Sequence, residues 1–351
     1  MSGVVFDDVV AGAGRLNGLS FAAPAGTIVA LVGGDRAARR LALDLLTGAA
    51  RPASGEVRIG DFAARSFGSP LPHGVALSLD GADFAPRRNL YDAIASGLRQ
   101  RGLSRAEAEA RALHAADRYG LGGALATRAR DASLPHLRRT ALARAFAHRP
   151  PAIVADEPFA DRALGEAAAE LRALRDATGA TLVVAVGDAG AAIALADAAV
   201  LLRDGRAEAS GAPTALYERP PTVAASGFGP YGMNVLPVRA NQTGLSLEDG
   251  TTLGGASVRT GATFALLGVR PEHLFPWEGD MPPEHGARLP VIVENVQSTG
   301  ADLFATGRIG AFSVTARLPA GTSLTVGAPA QFGVKGEHLH MFDPRTGERL
   351  A

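Results

Sequence analysis

Over 351 residues the chain carries 35 acidic and 35 basic side chains and is 47% hydrophobic. A chain of this length buries one large core or two moderate ones, and its balanced charge provides no long-range field that would favour nucleic acid as a partner. Cysteine is absent, which excludes a disulfide frame, a thiol nucleophile and a thiolate metal site.

The opening stretch MSGVVFDDVV has neither a basic nor an apolar leader region, so no signal peptide is expected. Continuous apolar runs at 26–33 (GTIVALVG), 151–158 (PAIVADEP) and 180–187 (ATLVVAVG) read as strands buried on both faces of a parallel sheet. The first leads into LVGGDRAARRLALDLLTG (31–48), which has the frame of a phosphate-binding loop: an apolar strand, a glycine turn and an amphipathic helix. Helices are expected over 104–120, with Ser104 as cap and Glu107 three residues on, and over 137–149. Residues 198–211 read as a terminal hairpin turning at Asp204-Gly205. Alternating β and α elements imply an α/β domain. None of the apolar runs approaches the roughly 20 residues of a membrane span.

After YERPPTVAASGFGPYG (217–232) the texture changes. NVLPVRA, TFALLGVRP, LPVIVENVQ and FSVTARLP are short, alternating and separated by Gly or Pro, the pattern of a small all-β barrel. The expected division is therefore 1–232 and 233–351, with no internal repeat. His73, His136, His273, His338 and His340 show no metal-ligand spacing, and packing is the expected role of His338, His340 and Trp277.

In order and spacing, LNGLSFAAPAGTIVALVG, RPASGEVRIG, RRTALARAFAHRPPAIVADEPFA and GDAGAAIALADAAVLLRDGRAEASGAP resemble the ATP-binding subunits of ABC importers. The resemblance is to the sugar and glycerol-phosphate type related to the maltose importer, and it runs nearly end to end. GVRPEHL (268–274) and GEHLHMFDPRTGERL (336–350) resemble the OB-type (TOBE-like) regulatory domain that such importers append. The resemblance implies an α/β P-loop NTPase-type ABC ATPase domain, its helical subdomain spanning 80–145, followed by the all-β OB-type domain. It further implies ATP and Mg²⁺ as cofactors, a sugar, polyol or glycerol phosphate as solute, and permease subunits at the inner membrane as partners. The chain would then sit peripherally on the cytoplasmic face, with 89–102 near the groove for the permease's coupling helix.

The same resemblance assigns the site residues and shows where they depart from the pattern. Aligned on Gly33 and Gly34, the motif GxxxxGK[ST] places Ala38 at its second glycine, Arg39 at its lysine and Arg40 at its Ser/Thr. Alanine is disfavoured at positive φ, arginine is bulkier and planar beside lysine, and Arg40 removes the hydroxyl that binds Mg²⁺. Asp156 and Glu157 match the Walker B pair, the first a Mg²⁺ residue and the second the general base for water. Asp80 falls at the Q-loop glutamine, Gly187 at the switch histidine, ahead of a retained Asp188, and Ala163 at the D-loop aspartate. The signature LSGGQ reads ASLPH (132–136), keeping Ser133 and gaining Pro135, and the adenine-stacking aromatic is missing, with Val10 in about its place. Losing one charge-stabilising donor typically costs roughly 10²–10³ in rate, so ordinary turnover by this chain alone is not expected. Three readings stay open: the non-catalytic half of a heterodimer with an intact ATPase paralogue (or a homodimer), a competent ATPase in which Arg39 replaces lysine and Asp80 ligates Mg²⁺, and a free cytoplasmic regulator.

Overall fold

The computed structural model describes residues 2–65, 76–79, 84–158, 163–229, 231–241, 244–254, 263–278 and 286–350. The chain forms two compact units that divide between Thr214 and Ala215.

In chain order the first unit begins with β1 (Ser2–Ala11), β2 (Leu16–Pro24), β3 (Ile28–Gly33), α1 (Arg36–Thr47), β4 (Ser54–Ile59), β5 (Phe62–Arg65) and β6 (Ala76–Ser78). It continues through α2 (Leu90–Ala95), α3 (Arg105–Arg118), α4 (Leu134–His148), β7 (Ala152–Asp156) and α5 (Leu164–Thr178). The last elements are β8 (Thr181–Ala185), α6 (Ala189–Leu195), β9 (Ala198–Arg203) and β10 (Arg206–Gly211), and α7 (Pro213–Glu218) runs across the division into the second unit. One sheet has the order β10-β9-β3-β8-β7-β6 and is parallel except for the β9–β10 hairpin. Its central strands are buried along almost their whole length, as their unbroken apolar runs require. A second, antiparallel sheet, β2-β1-β4-β5, shares a core with α1, where Leu43, Leu45 and Leu46 meet Phe6, Leu16 and Leu19.

Three helices, α2, α3 and α4, pack on one another. The cap expected for α3 is present as a reciprocal box, with Ser104 and Glu107 each accepting from the other's backbone N–H. α4 starts earlier than expected because Pro135 sits in its first turn, where no intrahelical N–H is needed. Residues 89–102 form only the short α2, capped by Asn89, and a 3₁₀ turn at Arg99–Arg101.

The unit boundary lies upstream of the division expected at 232/233. Residues 215–229 have a linker's composition, yet their backbone groups are used by the second unit. Arg270 is fully buried, donates to the Tyr217 carbonyl (2.6 Å from Nη2) and lies 3.8 Å from the Tyr217 ring centre. The Tyr217 hydroxyl donates to Glu272. Val223 N–H bonds Gly347, and Arg349 N–H bonds Pro221, at 2.8 Å each.

Among the described residues the second unit has ten strands. Its first half runs β11 (Asn234–Asn241), β12 (Gly244–Ser246), β13 (Thr252–Gly254), β14 (Phe264–Val269), a 3₁₀ turn at Pro271–His273 and β15 (Phe275–Pro276). The second half runs β16 (Ala287–Ser298), β17 (Asp302–Ile309), β18 (Phe312–Pro319), β19 (Pro329–Val334), a 3₁₀ turn at Gly336–His338 and β20 (His340–Phe342). The sheets have the orders β13-β12-β11-β14-β20 and β18-β17-β16-β19-β15, so each half gives its last strand to the other's sheet. This is an internal repeat, which the sequence reading did not anticipate. Its trace is confined to GVRPEHL (268–274) and GVKGEHL (333–339), with the flanking strands diverged. The equivalent His273 and His338 stack with ring centres 3.8 Å apart. Trp277 packs edge-on to Phe275, and buried His340 accepts from Arg349 at 2.9 Å, the packing roles expected of them. Among the described residues no group of three His, Asp or Glu side chains is arranged to hold a metal, and no helix is long and apolar enough to cross a membrane.

Candidate nucleotide site

Strand order places the candidate site. β3, β8 and β7 are neighbours, with Asp156 level with Ala185 and Ala185 level with Leu31. Their carboxyl ends therefore open side by side, where open α/β sheets bind ligands. From these ends project Gly33-Gly34-Asp35, Gly187-Asp188 and Asp156-Glu157. Gly33 adopts φ +74° against the Leu202 carbonyl, which a Cβ would approach to 2.8 Å, so glycine is required there.

Beyond Gly34 the loop departs from the expected form. Asp35 caps α1, and its carboxylate accepts from the Ala38 N–H. Arg36, Ala37 and Ala38 make the first helical turn, so Ala38 has no positive φ to tolerate and the strain expected there is not present. An anion does sit at the helix N-terminus, where the macrodipole favours one, but it is the chain's own carboxylate.

Three arginines in the first five residues of α1 face acidic partners. Arg39 is buried, and its Nη1 donates to the carbonyls of Gly33 (2.9 Å) and Gly34 (3.2 Å), while Nη2 lies 3.8 Å from Glu157. Arg36 reaches Asp156 at 3.4 Å, and Arg40 bridges Asp44 at 2.9 Å and Asp156 at 4.0 Å. Arg39 thus closes the loop on itself rather than presenting its charge to a ligand.

Glu157 leaves the strand at φ +50°, with its N–H bonded to the Ala185 carbonyl at 2.9 Å. Burial pushes its carboxyl above the usual range, Asp156 adds to that shift, and Arg39 opposes it. A Cβ at Gly187 would lie 3.1 Å from Glu157 Oε1, so the carboxylate rests where a residue-187 side chain would begin. The retained Asp188 caps α6 by accepting from Ala191 N–H at 2.9 Å.

A divalent cation does not fit this donor set. The Asp156 carboxylate already faces two guanidinia, and position 40 supplies a cation where an oxygen ligand is needed. Ser133 precedes α4, and its hydroxyl is 2.9 Å from His136 Nδ1, so it is engaged within its own turn. Val10 lies on β1 between Asn17 and Ser54, and Ala163 precedes α5 without a capping side chain. Asp80 lies outside the described residues. Asp35 and Arg36 were missed as site residues, although Asp followed by Arg-Ala-Ala-Arg is a legible helix start.

Comparison with known proteins agrees with this frame. Residues 16–160 match the ABC transporter family model and residues 267–342 the TOBE domain model. The chain is 30% identical to the sn-glycerol-3-phosphate import ATP-binding protein UgpC of Cupriavidus necator, covering 95% of this chain and 94% of that one. Identity to the protein of the same name in Burkholderia thailandensis is 31%, with the same coverage. The sulfoquinovosyl glycerol transport ATP-binding protein of Agrobacterium fabrum is 29% identical, over 92% of this chain and 91% of its own. In fold, 60% of the chain superposes on 98% of a dimeric ATP-binding cassette solved with ADP and Pi (TM-score 0.51, 20% identity). Another 62% superposition covers 90% of cbiO1 of Clostridium perfringens, part of an ABC transporter complex (TM-score 0.50, 17% identity).

Proposed function

The chain belongs to the ATP-binding subunits of ABC importers, and from that premise we propose that it is the catalytically impaired half of a heterodimeric importer ATPase. The observation that carries this reading is Arg39, whose guanidinium is held by the Gly33 and Gly34 carbonyls and by Glu157 instead of facing a phosphate. Arg40 replaces the metal-binding hydroxyl, Gly187 offers no side chain to the γ-phosphate, and Pro135 stiffens the signature turn. Phosphoryl transfer depends on positioning and charge stabilisation, so these changes remove several contributions from one reaction. An intact paralogue then supplies the working phosphate loop, and this subunit supplies ATP-site surface, dimer contacts and docking to the permeases on the cytoplasmic face of the inner membrane. The relatives' names support a sugar, polyol or glycerol phosphate as the imported solute.

The test is to purify the chain alone and with the neighbouring ATPase and permeases. Hydrolysis is expected only from the mixed complex, with Glu157→Gln in this chain leaving the rate unchanged. Hydrolysis by the chain alone that Glu157→Gln abolishes would overturn the reading.

A further inference from the structure

We propose that the guanidinia of Arg36 and Arg40 are the resident counter-ions of Asp156, so that this subunit completes its charge balance without Mg²⁺ and does not take the ion up. The inference holds whichever subunit the chain pairs with, and it concerns its resting state rather than its rate.

Asp156 ends a buried strand with its side chain only 8% exposed. A carboxylate so placed needs a partner of opposite charge, because its hydration shell is lost. Arg36 and Arg40 supply that charge from one face of α1, being four residues apart. Arg40 is itself anchored by Asp44, one turn further along the helix, at 2.9 Å. Glu157, the neighbouring carboxylate, is matched by Arg39 at 3.8 Å. Asp35 faces Arg15 at 3.9 Å and takes the Ala38 N–H. Asp156, Glu157, Asp35 and Asp44 therefore each have a named cationic neighbour. A dication brought onto Asp156 would stand beside two positive charges and would have to displace them from the carboxylate.

The test uses the full chain, with Mn²⁺ as a spectroscopic probe and melting temperature as a second readout. Wild type is expected to leave Mn²⁺ free in electron paramagnetic resonance titrations and to melt at the same temperature in EDTA and in Mg²⁺. Arg36→Gly/Arg40→Ser is expected to melt several degrees lower in EDTA, to recover in Mg²⁺ and to bind one Mn²⁺ that Asp156→Asn then abolishes. Wild-type Mn²⁺ binding that Asp156→Asn removes would overturn the proposal, as would a double variant that folds and ignores both ions. Should the double variant not fold, Asp156→Asn in the wild-type chain decides. An equal drop in melting temperature in EDTA and in Mg²⁺ supports the resident pair, and a drop confined to Mg²⁺ refutes it. Hydrolysis and co-purification play no part in these readouts, so failure here is distinguishable from failure of the assigned function.

Discussion

With Arg39 replaced by alanine, the Gly33 and Gly34 carbonyls lose their donor and Glu157 loses its counter-charge. Glu157 is partly solvated, so the expected loss is about 1–3 kcal/mol of unfolding free energy, measured by urea denaturation. Arg39→Lys recovers part of it, since a single ammonium cannot serve two carbonyls and a carboxylate as the planar fork does. Three imidazoles set an acid limit. Burial is the main cause that lowers His148, His273 and His340 to about 4, with Arg101, His338 and Arg349 respectively the foremost charged neighbours that add to it. Between that value and the ordinary 6.5 the unfolded chain binds more protons than the folded one. Stability is thus fully present above this window and declines as pH falls through it. Urea midpoints measured across the window should show the decline, and His148→Gln should flatten it by up to one proton.

At the scale of elements, the start of α1 is the decisive feature. If Ala38 stood in a loop at positive φ, glycine would relieve it. Inside the first helical turn, Ala38→Gly instead costs about 1 kcal/mol in helix propensity. The sign of that single change, read from equilibrium unfolding, separates the two geometries. Much of this level was legible beforehand. The buried runs became β3, β7 and β8, the Asp204-Gly205 turn closed β9 onto β10, and Ser104 with Glu107 marked the start of α3. Legible through the resemblance alone was the grouping of Gly33, Asp156, Glu157 and Gly187, which end neighbouring parallel strands. The ion pairs were not. Arg36 and Asp156 are 120 residues apart in the chain, and nothing local to either specifies the other. The early start of α1 was hidden for another reason: the N-cap signal of Asp35 lies inside the span that GxxxxGK[ST] assigns to loop.

For the whole molecule, composition and packing divide the chain at different places. Pro, Gly and Ser between 217 and 232 look like spacer, whereas Tyr217 and Ser226 provide the carbonyls that Arg270 requires. A fragment of residues 215–351 is expected to unfold cooperatively. One of residues 233–351 strips the Tyr217 ring and both carbonyl acceptors from Arg270 and should lose about 3–5 kcal/mol, or fail to fold, as judged by circular dichroism and urea titration.

The exchange of β15 and β20 carries its own consequence. Neither half of the C-terminal unit can complete a sheet from its own chain, so each is the other's template. A polypeptide cut between Glu278 and Gly286 would remain clasped without a covalent link, and two separately made pieces should reconstitute the native pair on mixing.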